Sequence, residues 1–279
     1  MSAFQILLPA FVASLILTGI HAYLGVHVVE RGVIFVDLSL AQIAALGLTV
    51  AYLAGYDLHT SYQAYLFSLG FTFIGAAIFA FTRTHRKTRI PQEAVIGIVY
   101  AVSAAVAILL MSKATQETEH LKEMLVGNIL SVSWYEIGKT AVMYSLIGAF
   151  HFVFRKRFLL ISMDEPEAER RGISIRLWDL LFYMSFGFVV TSSVAIAGVL
   201  LVFCFLIVPS VAAMLLSERL GVRLAIGWTM GALVSAGGVA LSFVLDLPTG
   251  ATIVATFGAA LLLVAAYRAV FVRPAPATS

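Results

Sequence analysis

Hydrophobic runs alternate with brief polar punctuation along the whole chain, at roughly 5–26, 33–54, 62–82, 94–111, 134–154, 178–194, 198–217, 224–244 and 251–271. Each run is close to the about 20 mostly apolar residues that a membrane-spanning helix needs. Most connections are short. Only two carry substantial polar content, Ser112 to Ser133 and Arg155 to Arg176. From Trp178 to Ser217 the only charged residue is Asp179. One helix of that length would measure about 60 Å, twice the hydrocarbon thickness. The stretch must therefore fold back, and Ala195-Ile196-Ala197-Gly198 is the expected break. Pro209, which cannot donate a backbone hydrogen bond, is expected to kink the second half. The pattern predicts an all-α polytopic membrane protein with nine spans, or eight if residues 178–217 are divided differently.

Composition agrees. Hydrophobic residues make up 61% of the 279 positions and charged residues 12%, against roughly 25% charged in a soluble domain. The single cysteine, Cys204, excludes an intrachain disulfide framework and a cysteine-based zinc cage. No Lys or Arg precedes the first run, so that run is expected to be a retained span rather than a cleaved leader. The whole of 1–279 is expected to be one membrane domain.

Charge supplies a direction. Arg31, the group Arg83, Arg86, Lys87 and Arg89, the group Arg155, Lys156 and Arg157, then Arg170, Arg171, Arg176, Arg219, Arg223, Arg268 and Arg273 all fall in connections of one parity. Only Lys113, Lys122 and Lys139 of the 18 basic residues fall on the other side. Basic residues stay on the cytoplasmic face. The N-terminus is therefore expected outside and the C-terminus in the cytoplasm, as in a multi-pass protein of the cytoplasmic (inner) membrane.

The cytoplasmic loop 155–177 contains a helix signature. Asp164 can cap it, Glu167 completes a capping-box pattern three residues later, Pro166 suits the first turn, and Gly172 is a plausible stop. Such a helix could merely cover the ends of the spans, or it could dock a cytoplasmic partner.

Polar residues inside the runs are the candidates for chemistry. Ser14, Thr18, His21 and Gly25 share one face of the first span, and His21 could ligate a borderline metal or bond across to a neighbouring helix. Ser39, Gln42 and Thr49 share one face of the second. Glu93 reads as a helix N-terminal cap, and His151 and Asp179 read as interfacial. Glu117, Glu119, His120 and Glu123 form an outer acidic cluster that is either a solvated face or a cation attractor. Gly227, Gly231 and Ser235 recur every four residues, a spacing that lets helices approach closely, either at a dimer contact or in packing within the chain.

Several segments, in order and at consistent spacing, resemble the permease subunit of the manganese/zinc/iron-type ABC transporter family. They are Gly97-Ile98-Val99, Leu125-Val126-Gly127-Asn128-Ile129-Leu130-Ser131-Val132-Ser133, Asp164…Ala168…Gly172, and Ala197-Gly198-Val199-Leu200-Leu201-Val202 leading to Ile207-Val208-Pro209. The resemblance implies a homodimer of permeases over ABC ATPase subunits, with a substrate-binding protein or lipoprotein delivering the ion. It implies no permanently bound cofactor, the transition metal being cargo, and no nucleic-acid partner. The segment carrying Asp164, Glu167, Ala168, Arg171 and Gly172 would be the coupling helix. The family's Asp and His, four residues apart near the start of span two, are not in register here: Leu38 and Gln42 occupy those positions and Asp37 is displaced by one, about 100° around a helix. His21 and Asp37 remain the candidate metal ligands, and His21, Asp37, Ser39 and Gln42 the candidate pathway residues.

The expected function is import of zinc, manganese or iron. A permease for a metal chelate such as a siderophore or corrinoid, and an ion-coupled secondary transporter, remain alternatives. The chain has no G-x-x-x-x-G-K-[ST] phosphate loop, so ATP hydrolysis is expected in a separate protein. With no H-E-x-x-H and no G-x-S-x-G, an intramembrane hydrolase lacks its usual parts.

Overall fold

The computed structural model describes residues 3–57, 61–83, 90–112 and 129–271. In chain order the helices are α1 (Ala3–Glu30), α2 (Val36–Leu53), α3 (Tyr62–Phe81), α4 (Gln92–Met111), α5 (Trp134–Val153), α6 (Arg155–Met163), α7 (Glu165–Arg170), α8 (Ile175–Ala197), α9 (Val199–Leu216), α10 (Leu220–Leu245) and α11 (Thr249–Phe271). A single 3-10 turn, Ile129–Ser131, precedes α5, and no strand occurs among the described residues. Arg86, Lys87, Arg89, Lys113, Lys122, Arg273, the Glu117/Glu119/His120/Glu123 cluster and Leu125 to Asn128 lie outside the described residues.

Eight of these helices are long and apolar enough to cross a membrane, and α5 with α6, bent by 74° at their junction, makes a ninth candidate. Every predicted run ends within four residues of a helix end. The break in the 178–217 stretch is Gly198 alone. Its backbone, φ 76° and ψ 162°, lies where only glycine is comfortable. That single residue divides α8 from α9.

The spans pack as two groups. One holds α1, α9, α10 and α11; the other holds α2, α3, α4 and α8. Helix α5 leans on α1 and leaves Tyr135, Val142 and Leu146 exposed. Small residues bring the first group together. Gly25 meets the backbone of Leu206, Gly227 meets Ala22 and the carbonyl of Pro209, and Gly231 meets Thr18. The Gly227/Gly231/Ser235 stripe is thus buried against α1, within the chain.

Two sequence expectations need correction, and a third is extended. The polar stretch after α5 is not merely a loop around one short helix. Its basic start, Arg155-Lys156-Arg157, opens α6, which turns away from the span and buries Phe158 and Ile161. His151 is not interfacial: it is 1% exposed, stacked on Phe158 at 4.4 Å between ring centres and bonded through Nε2 to Ser185 at 2.8 Å. Glu93 lies in the first turn of α4, where an acidic residue is expected, and in addition accepts a hydrogen bond from the backbone N–H of Phe35 at the start of α2.

Candidate functional site

Two regions hold the candidate residues. The first is the elbow formed by α6 and α7. Asp164 stops α6 by leaving helical geometry, while its own N–H still bonds Leu160 at 2.8 Å. Its Oδ1 then accepts from the Glu167 N–H at 3.1 Å, which caps α7. The expected capping box is half formed. Glu167 does not reach back to Asp164; it pairs with Arg171 and Arg170, each at 2.7 Å. The hydrogen bond from Arg171, then the charge of Arg170, hold its carboxyl below the usual range.

The end of α7 is fixed equally well. Gly172 adopts φ +69°, with its N–H on the Glu169 carbonyl at 2.9 Å and the next N–H, from Ile173, on the Ala168 carbonyl at 3.1 Å. This is the paired-carbonyl stop that glycine makes possible. Ala168 is fully buried and anchors the inner face. Pro166, Glu169, Arg170 and Arg171 remain exposed on the outer one. Five coupling candidates, Asp164, Glu167, Ala168, Arg171 and Gly172, thus build one capped, outward-facing turn and a half of helix.

Beneath it lies a buried charge network. Asp179 of α8 is fully buried, contrary to its interfacial reading. It accepts from Arg31 Nη1 at 2.8 Å and pairs with Arg83. Arg83 also reaches Glu165, in the first turn of α7, at 3.0 Å. Arg31 Nε donates to Ser162 Oγ at 2.8 Å, and its guanidinium lies 4.1 Å from the Phe182 ring centre. Ser162 Oγ donates to the Phe158 carbonyl at 2.9 Å, so it receives the proton of His27 Nδ1, 2.8 Å away. Buried charges persist only when paired in this way. Nearby, Glu30 at the end of α1 pairs with Arg223 in the first turn of α10.

The second region holds the pathway candidates. His21 is fully buried. Its Nδ1 lies 2.7 Å from the Leu17 carbonyl, which can only accept, so that nitrogen carries the proton; Nε2 faces Ser193 Oγ at 3.3 Å. Ser14 bonds the Ala10 carbonyl at 2.9 Å. Asp37 is buried in the first turn of α2, and its Oδ1 accepts from the Leu38 N–H at 2.8 Å. His21 stands nine residues before the end of α1, about 13 Å along its axis, whereas Asp37 follows the turn beyond that end. The structure joins His21 to α8 and does not bring it to Asp37. Ser39 is fully buried and its hydroxyl has no partner among the described residues. Leu38 and Gln42 are partly exposed together on α2. No group of three or more His, Cys, Asp or Glu side chains that could hold a metal occurs among the described residues.

Sequence reasoning missed Arg31, Arg83, Glu165, Ser162 and His27 as partners. The one available signal was Asp179, a lone carboxylate at the head of a long uncharged stretch.

Comparison with known proteins covers nearly the whole chain. A family model described as the ABC 3 transport family matches residues 3–268. A probable iron transport system membrane protein of Haemophilus influenzae is 27% identical over 272 residues, covering 97% of this chain and 96% of its own. The manganese transport system membrane protein MntC of Listeria innocua is 26% identical over 251 residues, covering 88% and 84%. Among solved structures, PsaBC from Streptococcus pneumoniae in complex with Fab superposes with a TM-score of 0.78 at 22% identity, over 98% of this chain and 93% of that one.

Proposed function

Because this chain belongs to the ABC 3 transport family, as a multi-pass membrane permease, we propose that it forms the path by which a transition metal ion enters the cell. A separate ATPase subunit drives it by docking on α7, and a substrate-binding protein delivers the ion on the opposite side. The chain is the transport subunit and hydrolyses nothing itself. Two copies form the pore, and the arginine-rich end faces the cytoplasm.

The observation that carries this reading is α7 itself. It is short, capped at both ends, buried through Ala168 and exposed through Pro166, Glu169, Arg170 and Arg171. It is also tied by Glu165 to Arg83 and so to Asp179 in α8. A surface helix held this firmly can pass a push to the spans. The relatives' names supply the cargo class, iron for one and manganese for the other.

The test is uptake of Mn2+, Fe2+ and Zn2+ by vesicles that contain the permease with its ATPase and delivery protein. Gly172→Pro removes the stop of α7, and Glu167→Arg sets a third cation beside Arg170 and Arg171. Both are expected to abolish ATP-driven uptake while the protein still inserts. Unchanged transport-linked ATP hydrolysis in both variants rules the docking role out.

One observation favours a second reading, a metal chelate as cargo. Leu38 and Gln42 hold the two positions where the family resemblance implies an Asp and a His, and both are partly exposed while Asp37 and Ser39 are buried. That face offers one neutral amide oxygen and no charge. A metal that arrives already coordinated needs no more than this. Uptake of iron as a siderophore complex, with none of the free ion, distinguishes the two.

A further inference from the structure

The α6–α7 elbow is held from two sides by two arginines that share one carboxylate. Arg31, in the turn between α1 and α2, joins Asp179 to Ser162, the penultimate residue of α6. Arg83, just beyond α3, joins the same Asp179 to Glu165, the first residue of α7. Ser162 and Glu165 flank Asp164, the residue at which the elbow bends. The four charges balance, two against two. Arg31 and Asp179 are almost wholly enclosed, their side chains 2% and 0% exposed.

We infer that Arg31, Asp179 and Arg83 are the positioning residues that transmit movement of the α7 helix to the spans. The inference rests on the docking role of α7 proposed above and adds the route. The peptide chain links α7 only to α6 and, through residues 171–174, to α8. By contrast the arginines reach α1, α2 and α3, which lie in both packing groups. A displacement of α7 therefore pulls on Glu165 and Arg83, and through Asp179 on Arg31, in addition to the backbone at either end of the helix.

The chemistry requires arginine at both places. A guanidinium presents a rigid planar fork that can bond two acceptors in fixed directions; an ammonium is a point charge on a flexible stem. Arg83 bonds two carboxylates that belong to different helices, and Arg31 bonds a carboxylate and a hydroxyl that do. Ser162 is committed as an acceptor because its own proton is on the Phe158 carbonyl. The joint is thus directional at each node. A network that only neutralised charge would tolerate Lys at position 83, whereas one that carries movement would not.

The experiment uses the assembled transporter in proteoliposomes, with Mn2+ uptake and ATP hydrolysis measured together. Arg83→Lys keeps the charge and breaks the bridge. Glu165→Gln removes one end of it, and Glu165→Asp serves as the conservative rescue. Expected is a fall of about tenfold in ions moved per ATP for Arg83→Lys and Glu165→Gln, with recovery in Glu165→Asp and the ATPase still bound in every case. Three outcomes overturn the inference: an unchanged ratio in both variants, an equal loss in Glu165→Asp and Glu165→Gln, or loss of the ATPase from the complex, which would make the network part of folding or assembly. Failure of the docking reading looks different. There, with Arg83 and Glu165 intact, transport-linked ATP hydrolysis is the same in Gly172→Pro and Glu167→Arg as in wild type.

Discussion

Gly25 of α1 and Leu206 of α9 meet so closely that a Cβ on Gly25 would overlap the Leu206 carbonyl oxygen and Ser210 Oγ. That oxygen already accepts from Ser210 Oγ at 2.8 Å, which holds the hydroxyl in place. The obstacle is backbone, so neither helix can yield by changing a rotamer. The glycine sets the separation of the two helices at the centre of the first packing group.

Gly25→Ala is accordingly expected to destabilise the protein by about 1–3 kcal/mol, the usual range for overpacking. Thermal unfolding in detergent measures it. Gly19, six residues earlier on the same helix, has open space around its Cα. Gly19→Ala should leave the melting temperature unchanged or raise it slightly, since alanine favours helix.

Gly198→Ala tests the division of the 178–217 stretch. The φ of 76° and ψ of 162° at this residue impose a strain of about 1–3 kcal/mol on any residue with a Cβ. A lower melting temperature with the same number of spans, counted by cysteine accessibility, is the expected result.

Asp179→Ala leaves Arg31 and Arg83 enclosed without their shared carboxylate. Breaking a buried pair in this way costs about 3–5 kcal/mol. The variant should express at a lower level and unfold at a lower temperature than wild type. Glu165→Gln, at a node that is 19% exposed, should be much milder in the same assay.

Glu167 gives a pH dependence of known sign. Its carboxyl is held below the ordinary value of 4.5 by the hydrogen bond from Arg171 and the charge of Arg170. The contribution it makes to α7 is therefore complete above pH 4.5 and drains away as the pH falls through the lower folded value. A spin label at Glu169 should show constant mobility from neutral pH down to that point and loosen below it. In Glu167→Gln the acid step should be absent.

The spans were legible because a helix that faces lipid must be apolar for its full length, and the punctuation between runs then marks each end. The α7 helix was legible because Asp164, Pro166 and Gly172 each report a local backbone requirement. What local pattern does not record is who pairs with whom across the bundle. Asp179 bonds Arg31 across 148 positions and Arg83 across 96, and no periodicity carries that. The same limit applies to His21. Its face of α1 was readable, but that the face meets Ser193 of α8, far from Asp37, comes only from packing. Helix α6 was hidden for another reason. Three basic residues at its head resemble a loop until the 74° bend shows that they begin a helix lying across the span.

The single residue between α8 and α9 has a mechanical consequence. With one glycine joining them, the two helices have no slack chain between them, and they come from different packing groups. A movement of α8 at its Asp179 end has no loop at the far end to take it up. Only the backbone torsions of Gly198 and the packing of α9 on α1 at Gly25 stand between it and the other group. The hairpin is a joint one residue long, set where the two halves of the bundle meet.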